Sequence, residues 1–511
     1  MNFERMLEIT DKTAWKNAYE EEIRRLDLLY QEEERLYYDM YTSGKQSTRL
    51  NEIQKTKHEI MTNKYYKEMM SYWKQVFRTD KIWSRRLSVL LSRMEAEKLD
   101  SSPQITRLQQ KLQKSLLESS VKINGKDYTL GAIHSNIMEN PDRDMRKNLL
   151  CGAVGIGRNH EERFRDLIKQ RNELAKQAGF ENYFYFKCHL KGLDFDRYSA
   201  ELATLLESSG KSSQDWKNRI KDKFEWKVIH QYDQYYSVFN YHQLDGSLFP
   251  SNRLNTVLKG IMESLKVDAD NMPFSAEIHD IPYGGFCINI SPEEIKLVVS
   301  KRDSYSVYLS AIHEMGHALD GYFSSFEYPE MYRFYSSIAA EGIAELFQTI
   351  VTDHRFLNAA FQFDQEMIQS LNELKQLTDI KLLSMNHYYS LVEFKLYKNS
   401  DRDFKKIAEE TYFEVFGEEG ETFHPASEMF YIENPVFFQD YNVALSIREM
   451  ILEKFNMESP YGNPAFFQEL LEKFIQPNQL YTWEERVERL CREPHTFRYL
   501  AESLSNHTNA E

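Results

Sequence analysis

The chain has 511 residues, enough for a large buried interior and, by the usual size of folding units, for two or three lobes. Only 19 Gly and 13 Pro accompany 41% hydrophobic and 28% charged residues, which argues against a turn-rich β architecture and predicts a mainly α protein. Acidic residues outnumber basic ones by 79 to 64, and a formal charge of −15 is the wrong sign for gripping phosphate backbones, so nucleic acid is not an expected partner.

From residue 13 to about 120 the chain reads as charged amphipathic helices. In WKNAYEEEIRRLDLLYQEEERLYYDMY, Leu26, Leu29 and Tyr30 recur at helical spacing among Glu and Arg. Residues 1–125 are read as a helical lid or wall, and 126–511 as a helical catalytic region. The segment VKINGKDYTL alternates apolar residues around Asn124-Gly125, a hairpin signal. Asn140-Pro141-Asp142 opens a long helical run that ends at Gly179. Between 267 and 301 two β-prone runs, CINI and IKLVV, flank Ser291-Pro292 and predict a strand pair just before the main motif.

The four cysteines, Cys151, Cys188, Cys287 and Cys491, form no CxxC pair, so neither a disulfide scaffold nor a thiolate metal site is expected, and a reducing cytoplasm is the natural compartment. The N-terminus lacks an apolar signal core and no stretch approaches the roughly 20 apolar residues of a membrane span, so a membrane is not an expected partner. No repeat at solenoid periods is visible.

The chemistry concentrates in YSVYLSAIHEMGHALDGYF, residues 305–323. His313 and His317 stand four positions apart on one face of a helix, so both imidazoles can reach one ion. Zinc accepts neutral imidazole nitrogen, and Glu314 on the adjoining flank can take a proton from water on the metal. Val307, Tyr308, Ala311, Ile312, Met315, Ala318 and Leu319 make the segment a buried helix, in which two His and a Glu demand compensation. A third ligand comes from SSIAAEGIAELFQTIVTD, where Glu341 is assigned to the metal and Glu345 to a hydrogen bond that orients a ligand imidazole.

With HExxH followed by EGIAE, the chain resembles the Glu-type zinc peptidases (gluzincins), specifically the related oligoendopeptidase F, thimet oligopeptidase and angiotensin-converting enzyme families. Glu341-Gly342-Ile343-Ala344-Glu345 matches the converting-enzyme E-[AG]-I-[GA]-[DE] run. The segments DRDMRKNLL, RNELAKQAGFENYFYF, SPYGNPAFFQELLEKF and GGFCINI extend the likeness over most of the chain. The resemblance implies a two-lobed helical ellipsoid with a deep channel, a small β-sheet beside the HExxH helix, one Zn2+ per chain, and short peptides as substrates. It implies an oxyanion donor at Tyr441, and substrate contact at Gly284, Gly285 and Phe286, where a peptide can add as a strand. The chain departs from the family pattern ten residues before Tyr441, where Tyr431 replaces His and the nearest preceding His is His424. Those two complete the candidate substrate-binding residues.

The expected activity is therefore hydrolysis of short peptides by a zinc-activated water. Two alternatives accompany it: a metallocarboxypeptidase of the Taq type, whose HESQ-like ligand segment is missing here, and a non-catalytic peptide-binding homologue.

Overall fold

In the computed structural model, which describes residues 3–45, 47–281 and 284–506, the chain is mainly α, with 24 α-helices and five short strands among those residues. Capping chemistry sets many of the helix boundaries. The long run foreseen after Pro141 is a helix at Arg143–Gln177, started by the Asp142 carboxylate accepting from the Asp144 and Met145 amides. It is followed by Gly179 at φ 93°, a left-handed position that favours glycine.

The hairpin forms where the Asn-Gly pair predicts it. β1 (Ser120–Ile123) pairs antiparallel with β2 (Lys126–Thr129), Val121 opposite Tyr128, and Asn124 (φ 50°) and Gly125 (φ 82°) supply the two left-handed residues of a type I′ turn. The second sheet has the order β3-β5-β4, built from β3 (Ala276–His279), β4 (Gly285–Ser291) and β5 (Glu294–Ser300). The central β5 runs parallel to β3 and antiparallel to β4, with Phe286 opposite Val298. Its Leu297, Val298 and Val299 are fully buried, the continuous apolar run of a strand covered on both faces. The strand pair is as expected from the sequence; the edge strand β3 was not foreseen.

Contacts divide the chain into two compact units, each woven from three segments. The first comprises Met1–Ser102, Leu244–Gln362 and Met450–His495. Its long N-terminal helix (Lys12–Ser43) buries Trp15, Tyr19, Ile23, Leu26 and Tyr30 at intervals of three and four, while Leu29 is only half-buried. Trp15 stacks on Trp73 at 4.8 Å between ring centroids, within a core that also holds Phe77 and Leu87. The β3-β5-β4 sheet and the HExxH segment belong to this unit.

The second unit comprises Pro103–Gln243, Phe363–Glu449 and Thr496–Glu511. In it the buried Arg448 makes a two-pronged bond to Asp379, 3.1 Å and 2.8 Å, and Lys375 adds a third donor at 2.8 Å. Burial alone would raise the Asp379 carboxyl, but the Arg448 and Lys375 charges outweigh it and hold the pKa at about 2. The group therefore contributes stability above its unfolded value near 3.9, and that contribution is lost as pH falls through about 2, an effect of about 2–3 kcal/mol. Acid unfolding followed by circular dichroism should show this limb between pH 4 and 2, and Asp379→Asn should remove it while weakening the protein at neutral pH.

No helix among the described residues is long and apolar enough to cross a membrane, and the four cysteines are unpaired.

Candidate metal centre

The HExxH segment is a helix over Tyr305–Phe323, whose first turn is closed by Ser304 Oγ accepting from the Val307 amide at 3.3 Å. Val307, Tyr308, Ala311, Ile312, Met315, Ala318 and Leu319 are buried, and Ser310, His313, Glu314, His317 and Gly321 are half-buried on one face. The imidazoles of His313 and His317 lie 4.9 Å apart between centroids at 82°, close enough for both rings to reach one point.

A second helix, Ser337–Gln348, brings Glu341 to that point. Glu341 Oε2 lies 3.4 Å from His313 Nε2 and 3.8 Å from His317 Nε2. A tetrahedral ion with bonds of about 2.0–2.1 Å needs its donors roughly 3.3 Å apart, so the three side chains present a metal-sized triangle. They retain 13–19% side-chain exposure, which leaves an open side for solvent or substrate. Burial alone would lower the pKa of His313. The Glu341 hydrogen bond and the charges of Glu314, Glu341 and Glu345 instead raise it to about 9, the response of an imidazole surrounded by carboxylates that a cation would balance. The donor set fits zinc, which takes neutral imidazole and carboxylate together.

The approach of the two helices depends on Gly316, inside the motif. A Cβ there would come within 2.8 Å of Ala344 Cα and 3.2 Å of Phe347 Cβ, the first of these backbone that cannot yield. Gly316→Val is expected to push the Glu341 helix outward, weakening affinity for a divalent metal ion at least tenfold and lowering the melting temperature. Competition with a chromophoric chelator and a thermal melt would measure both.

Glu345, one turn beyond Glu341, is buried at 6% exposure. Asp320, one turn beyond His317, was not singled out from the sequence, although its spacing of three from that imidazole was legible. It is buried, and burial raises its carboxyl against the opposing charge of Arg486, whose Nη2 lies 3.9 Å from Oδ1.

The glycines upstream of the motif bring the sheet against the helix. A Cβ on Gly284 would meet Ser310 Oγ at 2.5 Å, and one on Gly285 would meet Val298 O at 2.7 Å and Glu314 Cγ at 3.4 Å. Gly285 thus faces the helix, as does Asn289, whose Nδ2 donates to His317 O at 3.3 Å. By strand alternation Phe286 faces the other way. Ser300 N donates to Gly284 O, so Phe286 and Val298 are a hydrogen-bonded pair, and Gly285 and Cys287 turn their own amides and carbonyls out from the sheet edge. That edge is closed at Asn289 and Ile290, whose carbonyls accept from Arg333 at 3.4 Å and 2.8 Å.

The remaining sequence-predicted residues lie in the second unit. Tyr441 is half-buried near the start of the helix Phe438–Lys454, its ring edge-on to Phe437 at 5.3 Å. Tyr431 is buried and donates to Tyr389 O at 2.9 Å. His424 is fully buried, with Nε2 3.0 Å from Glu161 and Nδ1 accepting from the Ala426 amide at 3.2 Å.

No family model matches this sequence, and no curated protein matches it. Solved structures do. One described as an oligoendopeptidase F superposes with a TM-score of 0.74 at 13% identity, covering 99% of this chain and 94% of that one. Metallocarboxypeptidase 1 of Trypanosoma cruzi gives 0.67 at 13% identity over 95% and 99% of the two chains. The carboxypeptidase of Pyrococcus furiosus gives 0.64 at 12% over 95% and 97%. The chain therefore has the helical fold shared by these peptidases.

Proposed function

We propose that the protein is a zinc-dependent peptidase acting on short peptides. The observation that carries this reading is the triangle of His313 Nε2, His317 Nε2 and Glu341 Oε2, which lie within 4.8 Å of one another, with Glu314 next to His313 on the same helix. When bound, the ion would polarise the scissile carbonyl and lower the pKa of water toward 7. Glu314 takes the proton of the attacking water and delivers it to the leaving amine. The outward amides and carbonyls of Gly285 and Cys287 hold the peptide backbone as an added strand beside that carboxylate. Glu345 is proposed to support a ligand imidazole, and Tyr441 is carried as the oxyanion donor on the family pattern alone. The four unpaired cysteines suit a cytoplasmic setting.

The test is digestion of a peptide mixture read by mass spectrometry, with and without chelator, alongside metal analysis. One zinc per chain and chelator-sensitive cleavage are expected; hydrolysis that survives complete metal removal would sink the reading. The likeness to two carboxypeptidases over 95% of the chain favours a second reading, removal of C-terminal residues. Products shortened only from the C-terminus, and none from C-terminally amidated peptides, would select it.

A further inference from the structure

The strand edge beside Glu314 has two faces, and the aromatic one carries residues that the proposed mechanism leaves unused. Phe286, on the face turned away from the HExxH helix, meets Tyr41 edge-on at 5.8 Å, and Tyr41 stacks on Tyr37 at 6.0 Å and 12°. Tyr37 and Tyr41 stand one turn apart near the end of the long N-terminal helix. Tyr41 nonetheless keeps 49% of its surface open. The aromatic row continues along the helix. Tyr30 on the same helix face meets Phe334 edge-on at 5.5 Å, and the next residue, Tyr335, is 56% exposed and six positions before Glu341.

A peptide hydrogen-bonded to Gly285 and Cys287 places the residue opposite Phe286 on the Phe286 face, and its two neighbours on the helix face. One side chain of the peptide therefore lands beside the ring of Tyr41. Resting on the peptidase reading, we infer that Tyr41 and Phe286, backed by Tyr37, form a subsite that takes one aromatic or large aliphatic side chain of the substrate. The rings are held in place before binding, so little ordering is left for the ligand to impose. The acidic neighbour on this face, Glu34, sits one turn before Tyr37 and defines the competing class, a basic side chain.

The test separates binding from turnover. Octapeptides identical except for Phe, Ala or Lys at one position, scanned along the peptide, are titrated by calorimetry into zinc-loaded Glu314→Gln protein. At one position Phe should bind roughly tenfold or more tighter than Ala. The ratio should fall to near one when Tyr41→Ala or Phe286→Ala is added, and persist with Tyr41→Phe, which keeps the ring and controls for folding. Equal affinity for Phe and Ala at every position overturns the subsite, as does a ratio that survives both alanine variants. A preference for Lys overturns it in favour of Glu34. If the unsubstituted protein binds with this ratio and hydrolyses nothing, the peptidase reading falls and the subsite stands. Hydrolysis without the ratio gives the reverse.

Discussion

Glu314→Gln protein is expected to hold zinc as tightly as the unsubstituted chain and to hydrolyse peptides about 10²–10⁴-fold more slowly. The amide has nearly the shape of the carboxylate, so the packing of Gly285 against Glu314 Cγ at 3.4 Å is preserved. The proposed metal triangle of His313, His317 and Glu341 is untouched, since none of its atoms belongs to residue 314. What disappears is an anion able to accept a proton, so the loss should fall on kcat, with peptide affinity retained. Steady-state kinetics together with metal content per chain make the measurement. Residual activity above about a tenth of the original would remove Glu314 from its role, and a chain that binds peptide equally in both forms and cleaves in neither is a peptide-binding homologue.

The largest stability effect is expected at Glu330, which lies just before the Glu341 helix. Its carboxylate is completely buried and bonds to Arg86, itself completely buried and also bonded to Glu20 of the long N-terminal helix. The guanidinium lies 4.3 Å from the centroid of Trp83 and 4.2 Å from that of Tyr328. Removing Glu330 breaks a fully buried pair and leaves Arg86 with Glu20 as its carboxylate partner; losses from breaking such pairs run to about 3–5 kcal/mol. Glu330→Ala should therefore shift the urea midpoint strongly downward. Replacing the pair together, Arg86→Met with Glu330→Leu, should recover part of that loss, because the one carboxylate that loses the guanidinium, Glu20, keeps 27% side-chain exposure to water. If the double variant is less stable than Glu330→Ala, the penalty comes from lost packing and this account is wrong.

Local patterns survived folding where the physics is itself local. A type I′ turn needs two left-handed residues, so Asn124-Gly125 identifies its hairpin without reference to the rest of the chain. A helix holds residues four apart on one face, so His313 and His317 are neighbours in any context that keeps the helix. The 3.6-residue stripe of the N-terminal helix is legible for the same reason, though Leu29, inside the stripe, is only half-buried because packing partners decide burial.

Other features are invisible until distant segments meet. The strand β3 is four residues of modest β-propensity and exists because β5 supplies its parallel partner. The need for glycine at 316 follows from Ala344, 28 positions away, coming within contact distance. Arg86 and Glu330 are 244 residues apart, and neither advertises a buried pair.

The sequence by itself determined the helical class, the hairpin, the strand pair and the convergence of two imidazoles with a carboxylate beside them, because each depends on backbone geometry within a few residues. Tertiary structure alone decided that Glu341 reaches both imidazoles, that Gly285 and Cys287 turn their amides and carbonyls away from β5, and that Tyr41 lies against Phe286. Those distances join segments far apart in the chain, and only close packing sets them.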